Sequence, residues 1–435
     1  MPGGSRIGDL AISAGKIVAV GDVPVSGKVV DAGGLIVLPG MVDTHVHLMD
    51  PGPTEREDFP TGTAAAAASG VTTIVEHTHA WPVRSREEMA EKLHHLEDRA
   101  NVDFGLAAHL WPEDVGRMSD LWRAGITFFK IFTCTTHGVP AVEGPDLLRA
   151  LETLASFGGA ALVHCEDEEL TGLAEARLKA EGRTDPGLLS VWRSREAEIA
   201  AIAGLAALAG ISGARVTVAH VSSPVGVGIV TEARRRGADV AAEACPQYFA
   251  LDEREVEGHG ALRKFTPPAR IRDEEERDSM WDALRSGGFS HLSTDHAPST
   301  LAQKSDGDIW SAPFGLPGLD TTLPFLLDAA LTGRIDLETV ADLYSHAPAR
   351  RYGLSGKGSL IEGADADFVL VDPLGRWEVS DDDILSKAGW SPYSGRVFQG
   401  AVVATYLRGT EIARSGAPAD GRTGRFIPGP GAAAR

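Results

Sequence analysis

Cysteine is scarce in this chain of 435 residues: Cys134, Cys165 and Cys245 are the only three. They are too few and too scattered for a disulfide framework or a thiolate zinc site, and a reducing, cytoplasmic setting is expected. Positive charge is also short. Lys and Arg number 41 against 61 Asp and Glu, a formal net charge of −20, which argues against a nucleic-acid backbone as partner. No apolar run is long enough to span a membrane; Ala64 to Ala68 reads as part of a helix. Met1-Pro-Gly-Gly-Ser has no charged-then-apolar pattern, so no secretory signal is expected. Aromatic residues make up only 6% of the chain.

What is present is ordinary for a globular protein, 43% hydrophobic and 23% charged, with 50 glycines for turns between short elements. Leu38-Pro-Gly-Met-Val-Asp-Thr-His-Val-His-Leu48 organises the rest. Its second half reads as a strand ending in His45 and His47. Residues two apart on a strand share a face, so both imidazoles can reach one metal ion.

The segments Leu10–Ile12, Lys16–Val20, Lys28–Val30 and Leu35–Val37 read as short strands, too few to bury a core alone. Ala366–Val371 and Ala401–Leu407 have the same texture, and Gly409-Thr410 reads as a turn. The two ends are therefore expected to meet in one β-sandwich, with residues 1–39 and 356–416 as its parts. Residues 417–435, rich in Gly, Pro and Ala, are expected to form a flexible tail. Between them, residues 40–355 alternate strands (Val71–Val75, Phe104–His109, Ile126–Phe132, Ala160–His164, Val216–Val221, Val240–Glu243, His291–Thr294) with helical stretches such as Ser85–Ala100 and Pro224–Arg236. This is the pattern of an α/β fold, a (β/α)8 TIM barrel.

In such a barrel, active-site residues stand at the C-terminal strand ends. Here those ends carry His45 and His47, then Lys130 within Ile126–Phe132, His164, His220, and Asp295 with His296. A single strand-end histidine is more often a hydrogen-bonded structural residue than a ligand, and a lone lysine usually snorkels to water. The ordered set of His-x-His, Lys, His, His and Asp fits neither reading.

With these motifs in hand, the chain resembles the cyclic amidohydrolases of the amidohydrolase superfamily, the group of allantoinase, hydantoinase, dihydropyrimidinase and dihydroorotase. The resemblance runs from Pro39–His47 through Asp58–Thr63, Gly70–Thr73, Phe129-Lys130, Val163–Asp167, Ala219–Ser223, Glu243–Pro246, Pro267-Pro268 and Ser293–Pro298 to Gly358–Asp367. It implies a hydrolase that opens a cyclic amide C–N bond with a metal-bridging hydroxide. Two divalent metal ions per subunit are implied, zinc by ligand type. His45 and His47 would hold the more buried ion and His164 and His220 the second. An N6-carboxylated Lys130 would bridge them, and Asp295 would serve as both ligand and general acid/base. A neutral lysine amine can form such a carbamate, and burial among Phe128, Phe129, Ile131 and Phe132 lowers its pKa. A homotetramer or homodimer acting on a small cyclic amide is also implied, with no nucleic-acid or membrane partner.

The ring is read from departures. Met49 stands where dihydroorotase-like chains carry a carboxylate-binding arginine, and Thr135 where hydantoinases carry a tyrosine. Met49–Phe59 and Glu243–Tyr248 look most like allantoinase, although Gln247 stands where those chains generally have histidine. Trp81, Trp310 and Phe314 suggest apolar walls. Allantoin, or a related ureide or hydantoin, is the leading substrate. A hydantoinase, dihydropyrimidinase or cyclic imide hydrolase is the alternative, and a dihydroorotase-like scaffold the non-enzymatic one. Thr135, His137, Ser222, Thr266, Phe314 and Gly315 are the expected substrate contacts. His77 and His79 are read equally as substrate contacts or structural residues; His94 and His95 are expected to be solvated. Cys134 and Cys165 are expected to line the pocket.

Overall fold

The computed structural model describes residues 4–24 and 27–434. Eight parallel strand positions run in order around a barrel: Met41–Val46, Val71–Glu76, Asp103–His109, Phe129–Phe132, Ala160–His164, Arg215–Val218, Val240–Ala244 and His291–Leu292. The third is broken at Ala107, whose N–H instead donates to Glu76 O at 3.1 Å. Closure comes from a parallel bridge between Val46 and His296, where His47 N donates to His296 O at 2.8 Å. Strand-to-helix connections recur, as the sequence pattern requires. The first helix, Phe59–Ala68, starts where Asp58 accepts from Thr61 N, with Pro60 in its first turn.

The alternation of each strand places its polar residue one layer above an apolar one. Val75 lies two residues before His77, Ala107 before His109, Phe128 before Lys130 and Leu162 before His164. Those apolar residues, with Val42, Ala219 and Tyr352, form one buried cluster that plugs the barrel beneath the polar layer.

A second unit joins both ends of the chain. Ile36–Pro39 pairs with Phe368–Glu378, which pairs with Val397–Leu407, then Thr410–Arg414 and Ala417–Pro418, all antiparallel. The hairpin Asp9–Ser13 with Lys16–Gly21 forms a separate two-stranded sheet. Ile17 from the hairpin packs with Leu360, Phe368, Leu370 and Tyr406, so the two sheets share a core. No strand forms at Lys28–Val30; Val29 and Val30 are exposed and have no sheet edge to join.

The tail departs from expectation. Among residues 417–435, Phe426 bridges Phe104, Ile427 N donates to Phe104 O at 2.7 Å and Gly429 N to Gly125 O at 2.8 Å. Its small residues allow this close approach: a Cβ on Gly429 would lie 2.3 Å from Ile126 O. The composition that suggested looseness is what lets the backbone dock. Residues 379–396 also leave the antiparallel sheet for the barrel, where Trp390 Nε1 donates to Ser299 O at 2.8 Å.

Candidate metal centre

The six residues expected to carry the chemistry converge at the C-terminal mouth of the barrel. Lys130 Nζ lies 3.2 Å from His45 Nε2, and Asp295 Oδ1 lies 3.2 Å from His45 Nε2 and 3.6 Å from His47 Nε2. Across the site, His164 Nδ1 and His220 Nε2 are 3.1 Å apart. Two nitrogens on one tetrahedral zinc would stand about 3.4 Å apart, from Zn–N bonds of about 2.0–2.1 Å. His220 and Asp295 leave their strands with φ of 36° and 51°, a strained region for residues other than glycine.

Three of the four histidines have their other ring nitrogen anchored. His45 Nδ1 is 2.7 Å from Glu243 Oε1, His47 Nδ1 is 3.0 Å from His77 O, and His164 Nε2 is 2.7 Å from Glu166 Oε2. Such partners fix the tautomer and aim the free nitrogen. Glu243 also accepts from His220 N at 3.2 Å. Burial pushes its carboxyl up, but His45 and His291 beside it hold the net value well below the usual range. Glu166 behaves likewise: burial raises it, while Arg193 and His164 bring it down to about 2.

Burial holds His45, His47, His164 and His220 below the ordinary histidine value, which favours neutral rings, each with one ring nitrogen free to offer a lone pair. Burial also lowers Lys130 to about 8, against the opposing pull of Asp295 and Glu243. Asp295 is raised by burial, opposed by His45 and Lys130. Neutral imidazoles, a neutral-capable amine and a carboxylate with converging donor atoms fit a pair of divalent cations.

The expected substrate contacts divide. Thr266 donates to Glu166 Oε2 at 2.7 Å, so it steadies the carboxylate behind His164. Thr135 is on the exposed rim with its hydroxyl on Glu168 Oε1 at 2.8 Å. Ser222 is buried, with its N–H on Glu198 Oε1 at 2.8 Å and its hydroxyl on the same carboxylate. The structure thus gives Thr135 and Ser222 partners of their own rather than bringing them to the metal donors. Gly315 follows Phe314 in the chain, and its N–H donates to Lys264 O at 3.0 Å. Phe314 faces Trp192 at 5.4 Å and His137 at 5.7 Å, with Lys264 Nζ 4.3 Å from its ring centre. Trp81 is at the surface, 43% exposed.

Other histidines separate clearly. His77 is buried against His45 and His47, with ring centres 4.7 and 4.5 Å away, and His79 lies 4.3 Å from His47. His296 Nδ1 accepts from Gly318 N at 3.0 Å and Leu319 N at 3.2 Å, fixing a loop. His94 is exposed, but His95 is not simply solvated: its Nε2 lies 2.5 Å from buried Asp50 Oδ1. Cys134 and Cys165 are buried, and Cys134 Sγ accepts from Arg193 Nη1 at 3.3 Å.

The sequence reading gave no role to Glu243, Glu166, Arg193 and His109. Two of them carried a signal. Glu243 is a carboxylate inside the apolar run Val240–Ala244, and Glu166 lies two residues past His164, in register with it.

Fold and site together define a (β/α)8-barrel hydrolase with a histidine-rich metal centre. The chain belongs to the amidohydrolase family, whose model matches residues 36–412. Curated relatives include allantoinases from Rubrobacter xylanophilus, 37% identical over 98% of this chain and 95% of its own, and from Escherichia coli, 35% identical over 94% and 92%. Among solved structures, the L-hydantoinase (dihydropyrimidinase) of Arthrobacter aurescens superposes with a TM-score of 0.90 at 30% identity, covering 96% of this chain and 95% of that one. The protein is a cyclic amidohydrolase of this family, and the family with its hydantoinase neighbours implies a binuclear metal centre. No helix of the described residues is long and apolar enough to cross a membrane.

Proposed function

We propose that the protein opens the ring of allantoin, or of a related ureide or hydantoin, by hydrolysing its cyclic amide bond. The observation that carries this reading is the convergence of His45, His47, Lys130, His164, His220 and Asp295 at the strand ends, in a chain 37% identical to an allantoinase over nearly its full length. His45 and His47 would hold one cation, His164 and His220 the other. Lys130, neutral above about pH 8, would react through its amine with carbon dioxide to give an anionic carbamate reaching both. Zinc suits this imidazole-rich set. Two such cations supply an acidified water and a polarised carbonyl.

The chain's own residues do the rest. Asp295 Oδ1, 3.2 Å from His45 Nε2 and 3.6 Å from His47 Nε2, would take a proton from the attacking water and deliver it to the departing ring nitrogen. Glu243 and Glu166 keep His45 and His164 aimed while charge redistributes. Phe314 and Trp192 wall one side of the mouth against water. Their apolar character favours the second reading, a hydantoin or imide bearing a bulkier substituent. A cytoplasmic homodimer or homotetramer is part of the proposal, in keeping with three buried, unpaired cysteines.

The test is ring opening by the zinc-loaded protein on allantoin, hydantoin, 5-substituted hydantoins, dihydrouracil and a cyclic imide. Allantoin is expected to turn over with the highest kcat/KM. Preference for a 5-aryl hydantoin would shift the substrate, and no ring opened by metal-replete protein would reject the reading.

A further inference from the structure

The wall at the barrel mouth hangs on two buried lysines that the proposed chemistry does not use. Phe314 belongs to the loop from Asp306 to Gly315, which follows the short helix Leu301–Ser305 and contains no helix or strand of its own. Asp308 closes the first turn of this loop, where Trp310 N and Ser311 N donate to its Oδ1 at 3.0 and 3.1 Å. The carbonyls around and after that turn are tied outward. Lys264 Nζ donates to Ile309 O at 2.6 Å, Trp310 O at 3.1 Å and Ala312 O at 2.5 Å. Lys304 Nζ donates to Pro313 O at 2.9 Å and to Lys264 O at 3.0 Å. Four of the five carbonyls from Ile309 to Pro313 thus end on one of two ammonium groups.

Lys264 and Lys304 are 1% and 3% exposed. Burying an ammonium is costly unless its N–H groups are satisfied, and Lys264 spends all three on the loop. Filling the same space would need only an apolar side chain, without that cost. What the ammonium groups add is direction: they fix a run of main chain whose next residue is Phe314. That ring meets the centre from two sides. Its centre lies 5.7 Å from that of His137, which stacks at 4.6 Å on His79, itself 4.3 Å from His47. The Arg193 guanidinium carbon lies 5.6 Å from the Phe314 ring, and Arg193 Nη1 reaches Glu166 Oε2, the partner of His164, at 3.2 Å.

We propose that Lys264, backed by Lys304, is a positioning residue for substrate selection. It staples the main chain of residues 309–313 so that Phe314 stands against the substituent on ring carbon 5, the ureido group in allantoin. This rests on the proposed ring opening and deepens it.

Ring-opening kinetics of the zinc-loaded full chain test it, on hydantoin, which has no substituent, and on allantoin and 5-phenylhydantoin. Wild type is expected to prefer one of the substituted rings. Lys264→Met is expected to lower kcat/KM for that ring, relative to hydantoin, about tenfold and mainly through KM. Phe314→Ala is expected to do the same, and the double variant to lose no more than Phe314→Ala alone. An unchanged ratio in Lys264→Met, or losses that multiply in the double variant, would overturn the inference even with a lower thermal midpoint, because a purely structural lysine gives that result. A wild type that prefers hydantoin would overturn it too. Should wild type open none of the three rings, the substrate reading fails and equilibrium binding of 5-phenylhydantoin decides. Binding about tenfold weaker in Lys264→Met than in wild type would support the staple, and equal binding, or none by wild type, would overturn it. If Lys264→Met fails to fold by circular dichroism, Lys304→Met, which frees Pro313 O, is expected to lower the same ratio at least about threefold, and an unchanged ratio would overturn the proposal.

Discussion

Lys130 makes a testable demand on its surroundings. Burial brings its amine to about 8, so in the metal-free protein the neutral, carbon-dioxide-reactive form grows as pH rises through that value. Recovery of activity by metal-stripped protein given zinc should therefore accelerate with added bicarbonate, and more strongly at pH 9 than at pH 7. Recovery indifferent to bicarbonate at both values would remove the carbamate from the account. Glu243 acts one step further out, through its 2.7 Å contact with His45. Glu243→Gln should weaken zinc binding about 10–100-fold, measured by competition with a chelating dye, while circular dichroism stays unchanged. At this scale the sequence was readable where a polar residue interrupted an apolar strand, as at Lys130 and His164. It was not readable where a contact joins distant strands, as between Glu243 and His45 or Thr266 and Glu166. Thr135 was expected at the substrate from its place in the loop, but position in a loop does not say which partner a side chain takes, and its hydroxyl donates to Glu168.

The strands deliver the six side chains proposed as metal donors, and the loops after them shape what can approach. The loop after the eighth strand shows how tight that shaping is. Gly315 has φ 111°, and a Cβ there would lie 2.2 Å from Ala297 O. Gly315→Ala must move the backbone that carries Phe314 and meets Lys264. A cost of about 1–3 kcal/mol is expected for the strained conformation alone. Thermal unfolding should show a lower midpoint, and kcat/KM should fall with it; a variant indistinguishable from wild type in both would contradict the close packing. Element boundaries were visible in the sequence wherever periodicity ran long, as in Ala160–His164 and in the helix expected over Pro224–Arg236 and found over Pro224–Arg235. They failed at Lys28–Val30, where β-branched residues had no partner strand, and at the eighth strand, only His291–Leu292 long.

On the scale of the whole molecule, one buried ion cluster ties the parts together. Lys357 Nζ lies 2.6 Å from Asp103, 2.9 Å from Asp365 and 2.7 Å from Asp367, and its side chain is wholly buried. Arg408 pairs with Asp103, Lys16 with Asp365 at 2.6 Å, and Arg425 N donates to Asp103 Oδ1 at 3.0 Å. Barrel, hairpin, antiparallel sheet and tail thus meet at one lysine. Lys357→Ala strands buried carboxylates and should cost about 3–5 kcal/mol, seen as an earlier urea midpoint; an unchanged midpoint would contradict the assignment. The meeting of the two chain ends was legible because each end alone was too small for a core. The docking of residues 424–434 was not, because Gly, Pro and Ala carry no periodic signal. The proposed chemistry rests on six side chains held together at one mouth, and the most direct measurement is allantoin hydrolysis by zinc-replete wild type and Asp295→Asn, with metal content determined on the same samples. The account predicts ring opening by wild type and a loss of kcat of at least about 10²–10⁴-fold in Asp295→Asn at comparable zinc content. Equal rates in the two proteins, or no ring opening by wild type carrying its metal, would contradict it.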